Sequence, residues 1–169
     1  LPPKVVAELE RIIDRDENMA VRISENLVSF QTSDMLVVSK IVEGTYPNFR
    51  TVIPSSFSKQ AVMKREEFGT KLARATIVLQ NTSNAVSLAI KPAELQISAV
   101  CPESGTSTDS VAVSYDGAPI TISFNPDFLI APLRHLECDY ITLRFNDDFS
   151  PVAISGDEGF LYIIMPMRH

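Results

Sequence analysis

The sequence predicts an α+β protein whose strands form antiparallel sheets, and two observations support this fold class. Short apolar segments separated by turn residues follow each predicted helix in groups of three or four, which is typical of strands joined by hairpins. The order helix, strand, strand, strand also occurs twice, over residues 4–40 and over residues 126–165. We interpret this recurrence as an internal repeat, with two unrelated α+β stretches as the alternative.

The first repeat begins with a helix predicted over residues 4–15. Its apolar positions recur at the spacing of a helix that is apolar on one face, and two prolines precede it, where a missing N–H breaks no hydrogen bond. Polar turn residues then separate three short strands. The three strands are predicted around residues 21–23, 27–30 and 35–38.

An extended linker is predicted over residues 41–56, because Gly44, Pro47 and Pro54 interrupt it and it shows no regular period. We therefore place a domain boundary at Pro54, which divides the chain into residues 1–54 and residues 55–169. By size, the second piece is a full domain and the first is half of one.

The second piece begins with a strand and a helix and continues with four strands. The helix is predicted over residues 64–79, where apolar residues recur at helical spacing. Residues 103–110, reading ESGTSTDS, are predicted to form a polar loop. The four strands are predicted at residues 85–90, 94–100, 110–115 and 120–124.

The second repeat occupies the last part of the sequence. Asn125 is a candidate N-cap and Pro126 stands at the first helical position, so we expect a helix that continues to residue 136. Pro132 should kink or split this helix, because it removes a backbone hydrogen bond. Strands are predicted to follow at residues 140–145, 152–155 and 160–165.

Composition argues against several protein classes. The net charge is −6, so the chain should not hold nucleic acid by bulk positive charge. Two cysteines, Cys101 and Cys138, are too few for a disulfide scaffold and fit a reducing, cytoplasmic compartment. No apolar run approaches the roughly 18 residues that a membrane helix needs. We also expect no signal peptide, because acidic residues occur early and no long apolar run follows a basic start.

Positive charge is concentrated in the predicted helices. The segments 4–15, 64–79 and 125–136 carry a net charge of +2, while the remaining 129 residues carry −8. Mixed charges on solvent-exposed helix faces would explain this difference. Helices that face a polyanion, with sheets that face away from it, are the alternative explanation. A protein of the second kind could hold DNA by enclosing it, without the tight phosphate binding that weakens steeply with salt.

Two motifs give the sequence a family resemblance. TYPNFRTVIP at residues 45–54 and YIIMPMRH at residues 162–169 resemble the interdomain segment and the C-terminal strand of bacterial DNA polymerase III β subunits, the sliding clamps. The likeness extends over the whole chain through LPPKVVAELERIID, KLARATIVL and SPVAI. It implies a fragment that contains the second half of the central clamp domain and the entire C-terminal domain.

The resemblance implies the DNA clamp fold, in which antiparallel sheets form the outside of a ring and paired helices line a DNA channel. It implies a processivity factor that encircles duplex DNA of any sequence, closes as a head-to-tail homodimer, and uses no catalytic residue, cofactor or metal. Ile77 and Val78 match the apolar dimer contacts, with ordinary helix packing as the alternative, and an edge strand is expected near residues 110–114. The candidates to face DNA are Arg11, Arg15, Lys71, Arg74 and Arg134.

Clamps of this family bind partners through a short peptide, roughly Gln-Leu-x-Leu-Phe, in a groove between the central and C-terminal domains. The implied partners are the polymerase III α subunit, the clamp loader and other proteins with this motif, close to the nucleoid. An apolar groove with a polar rim and adaptable methionine side chains suits such peptides. Thr51 stands where the family often has a second arginine, and His169 replaces the usual apolar last residue. The groove residues implied by position are Pro47, Thr51, Val52, Phe149, Pro151, Ile163, Ile164, Met165, Pro166, Met167 and Arg168.

Other classes remain as alternatives. His135 and Cys138 would suggest a small cysteine hydrolase, although no oxyanion-binding loop accompanies them. The acidic pairs Asp147-Asp148 and Asp157-Glu158 lie in predicted turns without the spacing of a metal-binding loop. A third hypothesis is a stand-alone peptide-binding module that does not encircle DNA.

Overall fold

A computed structural model describes residues 1–13, 18–79 and 85–168 of the chain. The chain divides into two compact units, unit 1 from Leu1 to Pro47 and unit 2 from Asn48 to His169. The sequence places the domain boundary a few residues later, at the end of the linker, and that division stays a prediction. Within the described ranges, no helix is long and apolar enough to cross a membrane.

Unit 1 contains one helix and a three-stranded antiparallel sheet in the order β1-β2-β3. The helix ends earlier than predicted, because Ile13 already has an extended backbone. The rest of the predicted helix, including Arg15, lies outside the described residues. A small core forms where Leu9 of the helix packs with Val28 and Phe30 of the middle strand. The elements are α1 (Pro3–Ile12), β1 (Ala20–Ile23), β2 (Leu27–Gln31) and β3 (Leu36–Lys40).

Unit 2 contains two helices and an eight-stranded antiparallel sheet. Its strand order is β11-β10-β9-β4-β7-β6-β5-β8, so β11 and β8 are the edge strands. A short 3₁₀ helix, Phe49–Thr51, precedes the sheet, and a second one, Thr76–Val78, follows α2. The elements are β4 (Lys59–Lys64), α2 (Arg65–Ala75), β5 (Val86–Lys91), β6 (Glu94–Cys101), β7 (Gly105–Ser114), β8 (Ile120–Phe124), α3 (Pro126–Leu133), β9 (Tyr140–Phe145), β10 (Val152–Ser155) and β11 (Tyr162–Ile164).

The predicted α+β fold class with antiparallel sheets is confirmed, and each repeat has its helix and three strands. Helix α2 packs against β6, β7 and α3, and α3 packs in turn against β11. In unit 2, alternate residues of β4, β5, β6 and β9 point into one continuous core. Phe68 and Phe145 are completely buried in it, and burying each such side chain stabilises the fold by roughly 1.5–3 kcal/mol.

Two details of strand β7 differ from the prediction. The predicted polar loop at residues 103–110 is wrong from Gly105 onwards, because the strand begins there and pairs with β6. Residues 113 and 114 were expected on an edge strand, but they pair with β4 on the other side. Among the described residues, β7 has no strand partner on its β4 side over residues 105–112. Polar residues replace the alternating apolar pattern over 106–110.

The start of α3 follows the prediction. The Asn125 side chain accepts a hydrogen bond from the Asp127 backbone N–H at 2.9 Å, and Pro126 is the first helical residue. Pro132 lies in the last turn, and the helix ends one residue later at Leu133. The predicted interruption is therefore the end of the helix, because a proline in the final turn breaks the backbone ladder there.

Candidate peptide-binding surface

A pocket of about 430 Å³ lies at the surface of unit 2, where three segments that are distant in sequence meet. The exposed ring of Phe149 and the side chain of Met167 give the pocket its apolar surface, while Asp148 and Arg168 give it one charge of each sign. A lining with both apolar and polar groups suits a peptide, which has apolar side chains and a polar backbone, better than a purely hydrocarbon ligand. The lining residues are Thr121, Ser123, Asp148, Phe149, Met167 and Arg168.

The C-terminal tail reaches this pocket because it crosses from one edge of the sheet to the other. Strand β11 is one edge and β8 is the opposite edge. After β11, the Met167 backbone N–H donates a hydrogen bond to the Ser123 carbonyl of β8 at 2.7 Å. The Ser123 hydroxyl in turn lies 3.0 Å from the Ser87 hydroxyl on β5. The tail is thereby fixed at a backbone atom, while the Met165 side chain stays exposed.

The turn that carries Phe149 is held by one carboxylate. Asp147 accepts hydrogen bonds from the backbone N–H groups of Phe149 (3.1 Å) and Ser150 (2.6 Å) and from the Ser150 hydroxyl (2.8 Å). Burial alone would raise the pKa of the Asp147 carboxyl, but the hydrogen bonds from Ser150 and Phe149 and the charge of Lys59 outweigh it. The pKa of Asp147 therefore lies below its ordinary value, and the carboxylate is the form that holds the turn.

The residue before it, Asn146, connects this turn to the segment that follows the linker. Its side-chain oxygen accepts a hydrogen bond from the Ser58 N–H at 2.7 Å, and its amide donates to the Ser56 carbonyl at 3.0 Å. The Lys59 ammonium also donates to the Asn146 carbonyl. The side chains of Asn146 and Lys59 thus join the beginning of unit 2 to the turn at residues 147–150.

The structure brings together only part of the predicted groove. Phe149, Met167 and Arg168 line the pocket, whereas Pro47 belongs to unit 1. Ile164 is 3% exposed and lies in the core of unit 2, so only its neighbour Ile163 is accessible. The groove role of the predicted residues stays a prediction, with Ile164 removed from it. The remaining predicted residues at the surface of unit 2, partly or fully exposed, are Thr51, Val52, Pro151, Met165 and Pro166.

Three pocket residues were not predicted. Thr121 and Ser123 lie on β8, and Asp148 lies beside Phe149 in the turn. In the sequence, the β8 residues show only the alternation of a strand, and nothing marks that the tail will lie against them. Asp148 could have been predicted, because it directly precedes Phe149 in the sequence, and neighbouring residues of an exposed turn lie on the same surface.

The basic residues predicted to face DNA differ in their surroundings. Arg11 pairs with Glu8 at 2.7 Å, and Lys71 pairs with Glu67 at 2.7 Å and donates to the Ser110 carbonyl. Arg74 forms an ion pair with Asp109 of β7. Arg134, at the end of α3, is exposed and has no ion pair within the described part of the chain. Exposed pairs are weak, so a phosphate could compete for the paired cations.

The residues matched to a dimer interface lie in the 3₁₀ helix after α2. Ile77 is 76% exposed, and Val78 is partly exposed. This helix packs beside β6 and β7. An isoleucine that is this exposed favours contact with another chain, because burying its apolar surface would be favourable.

The cysteine hydrolase alternative finds no support in the geometry. The Cys138 thiol is partly buried, and burial together with the negative charge and hydrogen bond of Asp157 raises its pKa. A catalytic cysteine needs the opposite shift, because the thiolate is the nucleophile. His135 is exposed at the end of α3. Across residues 1–13, 18–79 and 85–168, no three His, Cys, Asp or Glu side chains are placed to hold a metal ion.

Two family models match the chain. The model described as DNA polymerase III beta subunit, C-terminal domain, matches residues 50–168. The model described as DNA polymerase III beta subunit, central domain, matches residues 1–48. Together these matches agree with the order of domains that the two sequence motifs predict.

Curated relatives and solved structures give the same result. The beta sliding clamps of Chlamydia muridarum and Escherichia coli K12 are each 30% identical over 99% of this chain, which covers 46% and 47% of their lengths. A DnaN sliding clamp from Bartonella birtlesii, solved with griselimycin bound, superposes with a TM-score of 0.91 at 26% identity. The Caulobacter crescentus beta sliding clamp gives 0.91 at 27%. Both superpositions cover 100% of this chain and 46% of the solved one. The chain therefore spans about half the length of the relatives it matches, and its clamp fold is confirmed.

Proposed function

This chain belongs to the DNA polymerase III beta subunit family, and we propose that it forms part of a sliding clamp that encircles duplex DNA. In this proposal the ring keeps polymerase and repair factors on DNA by topology, without reading the base sequence. The protein acts as a processivity factor and makes or breaks no covalent bond. Its partners are duplex DNA, the polymerase III α subunit, the clamp loader and other proteins with the same short motif, in the cytoplasm close to the nucleoid.

The observation that carries the binding part of the proposal is the pocket beside the tail of unit 2. Phe149 and Met167 offer apolar surface, and the Met167 backbone is fixed to β8, so the pocket is present before any peptide arrives. A preformed pocket lowers the entropy cost of binding. We assign this pocket as the binding site for the side chains of a Gln-Leu-x-Leu-Phe peptide. We also assign contacts with the peptide to the accessible residues Val52, Ile163 and Met165 of this chain.

Peptide binding to the complete protein tests this assignment. A fluorescein-labelled Gln-Leu-Ser-Leu-Phe peptide is titrated with the wild type and with Met167→Asp, and fluorescence anisotropy is followed. A carboxylate in the apolar part of the pocket should weaken binding by at least about tenfold, because burying an unpaired charge is costly. The control is Glu158→Gln, an exposed residue in a turn outside the pocket. Unchanged affinity of Met167→Asp would show that the peptide binds elsewhere.

The DNA part of the proposal rests on the basic helix residues; among those that the structure describes, Arg134 is exposed and has no ion pair to break. A ring slides off linear DNA and stays on circular DNA, whereas an ordinary DNA-binding protein retains both equally. We therefore expect the complete protein, loaded on nicked circular DNA, to be released when the circle is cut. Equal retention on the circular and the linear form would instead favour a peptide-binding module that does not encircle DNA.

A further inference from the structure

We propose that Asn146 and Asp147 are positioning residues that hold the Phe149 turn of the peptide-binding surface of unit 2 in place. The inference rests on the proposed function, because it concerns how that same surface keeps its shape. Neither residue lines the pocket. Each acts through the backbone groups that it binds, on one side Phe149 and Ser150 and on the other side residues 56–58.

Asp147 determines where Phe149 points. The Phe149 side chain is 58% exposed, so packing within unit 2 does not fix its ring. Its backbone is fixed instead by the carboxylate, which receives three hydrogen bonds from two consecutive residues. An exposed aromatic side chain that already has its bound orientation contributes contact area at a small loss of entropy. Without the carboxylate, the same ring would have to be ordered when the peptide binds.

Asn146 connects the turn to the beginning of unit 2. Its amide uses both its donor and its acceptor on the backbone of residues 56–58, which are 88 and 90 positions away for the two bonds. The 3₁₀ helix with Thr51 and the exposed Val52 lie just before that segment. These two hydrogen bonds keep the beginning of unit 2 at a constant position relative to the turn.

The neighbouring acid, Asp148, differs from Asp147 in its surroundings. Asp148 is exposed and lines the pocket, whereas Asp147 is half-buried and faces the backbone of its own turn. The two residues lie outside the hydrophobic core of unit 2. Removing the Asp147 carboxylate should therefore affect the surface more than the stability of the fold.

The experiment uses the complete protein with Asp147→Ala, Asp147→Asn and Asn146→Ala, and Glu158→Ala as a matched surface control. The fluorescein-labelled Gln-Leu-Ser-Leu-Phe peptide measures affinity, and circular dichroism measures the melting temperature. Phe149→Trp adds a fluorescent reporter of the turn to a stretch of 169 residues without any other tryptophan, and the emission of the complete protein without this substitution is subtracted. Its anisotropy is compared with and without Asp147→Ala, in the absence of peptide.

We expect Asp147→Ala to bind the peptide about tenfold more weakly, with a melting temperature close to that of the wild type and a lower anisotropy of the tryptophan reporter. Asn146→Ala should weaken binding in the same direction. Asp147→Asn should restore most of the affinity, because its side-chain oxygen still accepts from both backbone N–H groups.

Two results would overturn the inference. One is unchanged affinity of Asp147→Ala while Met167→Asp abolishes binding, which would leave the proposed function intact. The other is a loss of affinity that follows the melting temperature and is not rescued by asparagine, which would indicate a general structural role. If Met167→Asp has no effect, the proposed function fails, and the reporter anisotropy alone then supports or refutes the ordering of the turn by Asp147.

Discussion

The two repeats have the same order of elements but differ in how well their first strand is buried. In unit 1, Val21 and Ile23 of β1 lie on the same sheet face as the core residues Phe30 and Val28, with which they pair. They are nevertheless 49% and 74% exposed. In unit 2, the corresponding strand β9 buries alternate residues almost completely. The two strands share an alternating sequence pattern, but only β9 has its alternate residues buried.

The cause of this difference is the neighbour on the other side of the strand. Strand β9 pairs with β10 on one side and with β4 on the other, and α2 adds a second helix to the core. Strand β1 pairs only with β2 within the described residues of unit 1. In unit 1, one helix and three strands therefore leave the first strand, β1, half-covered. In unit 2, the additional strand β4 and helix α2 complete the burial of β9.

The largest expected effect separates the buried strand from the exposed one. Phe145→Ala removes a ring with no exposed surface, so the free energy of unfolding should fall by about 3–5 kcal/mol. Ile23→Ala in the 169-residue chain should change it by no more than about 0.5 kcal/mol, because the side chain is mostly in water already. Urea unfolding followed by circular dichroism measures both variants.

Equal losses for the two variants would contradict the comparison of the repeats. The same pair of substitutions in the complete protein sharpens it. If Ile23→Ala becomes costly there, another segment covers β1, and the size of the increase measures how well that segment packs.

The next effect concerns the turns between the last two strands of each repeat. A methyl group on Gly156 would collide with the Cys138 sulfur and come within 3.2 Å of Leu136 Cδ2. Gly156→Ala should therefore destabilise unit 2 by about 1–3 kcal/mol. Asp34→Ala, in the exposed turn between β2 and β3 of unit 1, should be nearly neutral. Thermal unfolding compares the two, and adding Cys138→Ala should restore part of the loss, since it removes the colliding sulfur.

The third effect concerns the starts of the two repeat helices. Helix α3 has a side-chain cap from Asn125, whereas α1 begins after Pro2 with no side-chain cap. Asn125→Ala should lower the free energy of unfolding of unit 2 by about 1 kcal/mol, and Asn125→Asp should lower it much less. Chemical denaturation of both variants measures the difference. A loss that is equally large for aspartate would show that the amide has another structural partner that matters more than the cap.

The order of helices and strands could be predicted because each element has a local period or a local turn signal. The cap at Asn125 and the strands β8, β9 and β10 have the predicted bounds for this reason. Strand β7 was predicted too short, because its polar part is stabilised by pairing with β6 and not by its own side chains. Pairing between distant strands has no signature within either strand, so the position of β7 inside the sheet was also missed.

The candidate site was predictable where a motif carried it and not where distant residues meet. The tail and Phe149 were named from the family resemblance, and they do line one pocket. Thr121 and Ser123 were missed because only the folded tail brings Met167 to them. The ion pair between Arg74 and Asp109 joins residues 35 positions apart, so the sequence could name the cation but not the carboxylate that faces it.

The smallest expected effect is a pH dependence that differs between the ion pairs of the two units. The hydrogen bond from Arg74 is the main cause that lowers the pKa of Asp109 below its ordinary value of about 4. A lowered pKa in the folded state contributes stability that is present above the unfolded pKa and is lost as the pH falls through the folded pKa. Because Arg74 is 64% exposed, water screens the pair and the contribution should stay below about 1 kcal/mol.

We therefore expect the wild type to lose slightly more stability than Asp109→Asn between about pH 5 and pH 2.5. Added salt should reduce this difference, because it screens exposed charges. In unit 1, the two side chains of the Arg11–Glu8 pair are 75% and 47% exposed, so Glu8→Gln should change the stability less than Asp109→Asn does. Urea unfolding at several pH values measures all three proteins. If the two variants were indistinguishable, the better-buried carboxylate of unit 2 would give no advantage, and the difference between the units would lie in their apolar cores alone.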